Sequence, residues 1–251
     1  MAPRPGHRRP PGGQLPQHHQ KPPPTDVILR LADRIATLNG TIGALLGHHR
    51  RLDRRPLERT HRPLTHNVHL FDDDTGYIVI DPDTGTLHES AAGKLWLGPP
   101  KTDESARTIS LPPFLVRLLR AHLATHHHLH VFTTSDGALH RRSNFTRRAM
   151  RPAADGDLHL KTPILKLAAI ASGLTFHGLR HSHNTWMIED AIPEIAQALR
   201  LGHIMEDRVR ETYSHVAAAV EARLLQHLQD RWDKAVLNST NEFDADWRAA
   251  A

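Results

Sequence analysis

Apolar residues recur at helical spacing in Val27, Ile28, Leu31, Ile35 and Leu38, which predicts a helix that opens at a Thr25 or Asp26 cap and closes at Asn39-Gly40. From Asn67 the period shortens. Residues 68–71, 77–80, 94–97 and 107–111 are short β-rich runs. Asp73-Asp74-Thr75-Gly76, Asp81-Pro82-Asp83-Thr84-Gly85 and Pro99-Pro100 punctuate them as turns, so a small antiparallel sheet is predicted. Beyond it the pattern is helical again. Helices are expected over 113–125 behind Pro112-Pro113, over 143–152 behind a Ser143 cap, over 161–172 up to Gly173, and over 176–189. Pro193 suits the first position of a further helix and Gly202 its left-handed stop. A last helix from about Asp207 places Val209, Val216, Val220, Leu224, Leu228, Trp232 and Val236 on one face, fit to pack on its own domain or on a partner. The fold class expected is α+β, mainly α, with a small antiparallel β-sheet.

Two stretches carry no such pattern. Residues 1–24 hold eight prolines and no acidic residue, a composition too poor in apolar surface to offset chain entropy, and a disordered tail is expected there. Residues 47–66 hold six arginines, four histidines and two prolines, with no face suited to a core; they read as an exposed basic loop.

Composition changes the picture in three ways. The chain has no cysteine, so neither a disulfide framework nor a thiolate metal site is available. No run of about 20 apolar residues exists to span a bilayer, and the first residues lack a signal-peptide core, so a soluble cytoplasmic protein with no membrane partner is expected. The formal net charge of +5 suggests nucleic acid. That charge, however, is concentrated in residues 1–66, whereas 67–251 are slightly acidic; DNA binding has to rest on particular arginines.

The chemistry gathers in residues 175–215. Arg180 and His181 stand three and four residues after His177 at a predicted helix start, which predicts one shared face on which a guanidinium fork and ring nitrogens can converge on an anion. Leu201-Gly202-His203 sets a histidine just past a helix stop. Ten residues on stands Tyr213, one of two tyrosines in the chain. A phenol titrating near pH ~10 becomes a useful nucleophile only where cations or hydrogen bonds stabilise the phenolate. His126-His127-His128-Leu129-His130 suggests metal at first sight, but contiguous histidines on a helix face different ways; no metal and no cofactor is expected.

His177-x-x-Arg180, Leu201-Gly202-His203 and Tyr213-Ser214-His215, in this order and at these separations, resemble the catalytic boxes of the tyrosine recombinases, the phage-integrase family. Residues 100–112, PKTDESARTISLP, resemble that family's β-hairpin. The likeness spans about 67–232. It implies a helical DNA breaking–rejoining catalytic domain over 67–240, with its start in 25–66 and a tail at 241–251. It also implies double-stranded DNA attachment sites as substrate and a homo-oligomer, a tetramer on DNA, as the working form. Tyr213 would attack a phosphodiester and form a 3′-phosphotyrosyl link, with no ATP or metal required. Arg180 and His203 would hold the phosphate, His177 would assist proton transfer, and Lys101 would protonate the leaving 5′-oxygen. In this hairpin pattern Arg107 contacts the DNA backbone or braces the sheet. A non-catalytic DNA-binding remnant of an integrase is the alternative; a histidine-rich metal-handling protein is a third class.

The family also needs a second arginine, from a TGxRxxE-like box on a helix before the first strand, which falls between about 46 and 66 here. Arg55-Pro56-Leu57-Glu58 has the spacing, but Pro56 disrupts a helix interior and no Thr-Gly precedes it. Written in GC-rich codons and read one base on, residues 47–64 yield VITAAWTGARWSELTGL, which restores both an apolar helix pattern and the box. We therefore read this segment as translated out of frame, a reading the gene's nucleotide sequence decides. Recombination activity is accordingly expected to be impaired.

Overall fold

The structure is a computed structural model that describes residues 22–50, 59–60, 65–90, 92–134, 136–203 and 218–238. It is an α+β fold, about half helical, with small antiparallel sheets. Helix α1 spans Thr25–Arg50. It does not close at Asn39-Gly40: an interior glycine costs a helix only about 1 kcal/mol relative to alanine, and Gly40 is passed through. Four residues of the expected basic loop, 47–50, are thus helical. The remaining expectation of a loop, together with Arg55-Pro56-Leu57-Glu58, lies largely outside the described residues, as do the 1–21 part of the tail and residues 241–251.

The β region forms two sheets where one was expected. The first has β2 (Val68–Leu70), β3 (Gly76–Ile80) and β6 (Arg107–Ser110) in the order β2-β3-β6, with Ile78 opposite both Val68 and Ile109. Alternation sends Ile78 and Ile80 into the core. The second joins β1 (Arg59–Thr60), β4 (Thr86–Glu89) and β5 (Leu95–Gly98) in the order β1-β4-β5. β1 and β4 carry little β signal in Arg-Thr and Thr-Leu-His-Glu and were not expected; antiparallel pairing with β5 and β1 on either side makes β4 a strand, and the Asp81–Gly85 turn carries the chain to it from the other sheet. That turn is held by Asp81, whose Oδ1 accepts from the Asp83 and Thr84 amides and from the Thr84 hydroxyl.

Helix α2 covers Pro113–Leu123, with Pro113 at its first turn as expected. The next helical run is built of α3 (Arg142–Phe145), a π-helical turn at Thr146–Met150 and α4 (Arg151–Asp155). Ser143 lies inside α3 and is not its cap; Arg141 is. The helix expected over 161–172 does not form. Asp157 takes its backbone hydrogen bonds instead, accepting the amides of Ile164 and Leu165 at 2.6 Å each and of Leu167 at 3.1 Å, and Lys166 sits at φ 56°. Pro163 inside the stretch adds to the obstruction.

Helix α5 spans Phe176–Glu189, α6 Glu194–Leu201 and α7 Ala218–Asn238. Pro193 caps α6 and Gly202 ends it at φ 61°. Val209 and Val216 lie outside the described residues, but the rest of the α7 face packs inward: Leu224 and Trp232 are buried, with Val220, Leu228 and Val236 beside them. The main core joins α1, β3, β6, α2, α3, α4, α5 and α7. A smaller cluster of Met187, Ile192, Ala196, Leu201 and Leu224 fastens α6 to the end of α5 and to α7, and so fixes where the Gly202 turn stands. Among the described residues no helix is long and apolar enough to cross a membrane.

Candidate functional site

The Thr175 hydroxyl caps α5 by accepting from the Gly178 amide at 3.2 Å, which sets His177, Arg180 and His181 in the first two turns. The face expected to carry His177, Arg180 and His181 together is divided: Leu179 and Phe176 are buried and their spacing turns Arg180 inward with them, to 4% exposure, while His177 and His181 are exposed. The Arg180 guanidinium donates through Nη2 to the Leu201 carbonyl at 2.9 Å. Leu201 is the last residue of α6, and Gly202 then turns the chain left-handed so that the His203 amide bonds the Ala198 carbonyl at 2.8 Å. The sequence-predicted pair Arg180 and Leu201-Gly202-His203 is thereby joined by a direct bond across 21 residues. His203 itself is half-buried.

A second arginine works on the same helix end. Arg107, on β6, donates through Nε to the Arg200 carbonyl at 3.3 Å and through Nη1 to the Ser105 carbonyl at 2.9 Å. Guanidinium groups from two elements thus take the last carbonyls of α6, where the helix dipole is negative. Arg200 returns the contact by donating through Nη1 to the Ser110 carbonyl on β6. Its side chain is 7% exposed, and Nε and Nη2 find no hydrogen-bond partner. Burial pushes its pKa down to about 10; Glu221 on α7 opposes the fall and Arg107 adds to it. Arg107 therefore braces the sheet against α6. Arg200 carries no motif, and its only mark in the sequence is its spacing, four residues after buried Ala196 on the inward face of α6.

Lys101 is exposed, in the turn that follows β5. The turn is tethered through Thr102 and Ser105, whose hydroxyls meet at 3.1 Å, and through the Ser105 carbonyl held by Arg107. Arg107 thus bonds both the end of α6 and the Ser105 carbonyl, four residues after Lys101 in the same connection between β5 and β6. Tyr213, Ser214 and His215 lie outside the described residues.

The histidine run is arranged otherwise than expected. His126 to His130 follow α2 as turn and coil and do not share a helix. His126 stacks on His128 at 5.0 Å and meets the His122 ring edge-on at 4.7 Å; His122 is bound to the Val131 carbonyl. Burial holds His122 and His126 below the ordinary imidazole range. Among the described residues no group of three or more His, Cys, Asp or Glu is arranged to hold a metal ion. No protein-family model matches the chain, and no curated protein matches it.

Proposed function

We propose that the chain is the catalytic domain of a tyrosine-type site-specific DNA recombinase, of the DNA breaking–rejoining fold, impaired by the loss of one arginine. The observation that carries this reading is the Arg180 to Leu201 bond, which joins the His-x-x-Arg and Leu-Gly-His boxes at one place. In the proposed reaction the Tyr213 oxygen bonds to phosphorus as the P–O5′ bond breaks. The tyrosine proton passes to His177, Lys101 supplies a proton to the 5′-oxygen, and Arg180 with His203 stabilises the charge that builds on the non-bridging oxygens. Rejoining reverses these steps with another 5′ end. Loss of the second arginine removes on the order of several kcal/mol of that stabilisation, a rate loss of ~10²-fold or more.

The test is a pool of nicked, sequence-randomised duplexes incubated with the chain, read for retention and for SDS-resistant adduct. The expected result is retention that Arg180→Ala weakens, with a slow adduct that Tyr213→Phe abolishes. No retention, or an adduct that survives Tyr213→Phe, overturns the reading. Retention without any adduct identifies the non-catalytic DNA-binding remnant, which the Pro56-broken arginine box favours.

A further inference from the structure

We infer that His177 and His181 form a two-histidine clip for a divalent transition metal ion of the copper(II) or nickel(II) class. This goes beyond the recombinase reading and stands whether or not the chain cleaves DNA. The two residues are one helical turn apart on α5, and their Nε2 atoms face each other at 2.8 Å, with ring planes crossing at 86°. Both side chains are exposed, so an ion and its waters reach the nitrogens without displacing core.

The separation selects the geometry. With metal–nitrogen bonds of about 2.0–2.1 Å, two ligands at a right angle are about 2.8–3.0 Å apart, whereas two at the tetrahedral angle are about 3.3–3.4 Å apart. The two nitrogens are hydrogen-bonded to each other at 2.8 Å, so the helix already lets them come as close as the right-angle arrangement requires. Tetragonal nitrogen and oxygen sites belong to copper(II) and nickel(II), and the remaining positions here would be filled by water. Binding exchanges the hydrogen bond between the two rings for the ion, with the bridging proton released and both Nε2 lone pairs turned toward a common point. Thr175 caps the helix start beneath them and Phe176 sits in the core, so the backbone that carries both rings is held in place. The His122, His126 and His128 group is less suited, because the His122 Nε2 is bonded to the Val131 carbonyl and that ring is buried.

The chain has 22 histidines, so the test compares variants and does not count ions in one protein. Nickel(II) or copper(II) is titrated calorimetrically into the full chain, into His177→Ala, His181→Ala, the double variant and His126→Ala, with circular dichroism confirming the fold of each. The expected result is that His177→Ala and His181→Ala each lose the same single equivalent, that the double variant loses no more, and that His126→Ala keeps it. Retention of the wild-type isotherm in either single variant, or losses that add in the double variant, overturns the clip. Both substitutions are at exposed positions and the readout needs no DNA, so its failure is distinct from failure of the recombinase reading.

Discussion

Arg107 and Arg200 each donate to a main-chain carbonyl of the other's element, Arg107 to the Arg200 carbonyl and Arg200 to the Ser110 carbonyl beyond Arg107 on the same strand. The two contributions are of opposite sign. Arg107 is half-buried and satisfies two carbonyls, so Arg107→Met is expected to cost about 1–3 kcal/mol. Arg200 is a buried cation whose pKa is held down to about 10, which corresponds to roughly 3 kcal/mol of cost to the folded state. Replacing it with an apolar side chain of similar length relieves that cost and loses one bond, so Arg200→Met should stabilise by roughly 1–2 kcal/mol. The cost is present in full below pH 10 and falls as pH rises through 10 toward the unfolded value, so the advantage of Arg200→Met should shrink there. Urea unfolding of both variants at pH 8 and of Arg200→Met at pH 10.5 measures these effects; a destabilised Arg200→Met at pH 8 would contradict the account.

Trp232 on α7 stacks on Phe114 of α2 with centroids 4.5 Å apart and planes 7° off parallel, and Gln229 one turn earlier accepts the Phe114 amide at 2.7 Å. The indole is buried in the main core. Trp232→Ala should therefore destabilise by about 3–5 kcal/mol, and Gln229→Ala by about 1–2 kcal/mol. Denaturant midpoints decide between this and a peripheral α7, for which Trp232→Ala would be nearly silent.

Asp157 titration should be visible in stability. Burial raises its pKa, but the amides of Leu165, Leu167, Ile164 and Lys166 more than offset this, and its carboxyl is held below the ordinary carboxylate range. The contribution is present above the unfolded value near pH ~4 and is lost as pH falls through the folded value. Asp157→Asn should melt lower than the native chain at pH 7, with the gap closing below about pH 4. An unchanged gap at pH 3 would show that the carboxylate charge is not what orders residues 157–167.

What the sequence made legible and what it hid follow from one distinction. Periodicity reports burial, so α2, α5, α6 and the face of α7 were readable from Leu, Ile, Val and Trp spacing, and the αL stop at Gly202 from residue type alone. The stretch 161–172 has helical spacing as well, yet Asp157 outside it captures the amides that a helix would need, and no local pattern records a bond from seven to ten residues away. β4 is a strand because β5 pairs with it, not because Thr-Leu-His-Glu prefers to be one. At the candidate site, motif order singles out Arg180, His203 and Lys101, and of these the structure bonds Arg180 to the Leu201 carbonyl beside His203. The inward course of Arg180 to Leu201 and the Arg107 to Arg200 brace were not, since guanidinium-to-carbonyl bonds over 21 and 93 residues leave no trace in spacing.

The absent arginine box is the sharpest point of the functional reading, and it can be restored. In the native sequence 47–64 supplies six arginines, but none in a TGxR setting, and Pro56 stands where the helix would have to continue. Replacing 47–64 with VITAAWTGARWSELTGL should give the proposed phosphate site its second guanidinium while leaving Arg180, His203 and Lys101 untouched. One preorganised cation at a phosphoryl-transfer centre is worth about 3 kcal/mol or more, so Tyr213-dependent adduct formation on nicked duplexes should rise at least ~10²-fold. DNA retention should change far less, because the gain belongs to the transition state and not to the bound ground state. Equal adduct rates for the native and repaired chains, both folded, would sink the out-of-frame reading of this segment, and a repaired chain that forms no adduct at all would count against Tyr213 as a nucleophile.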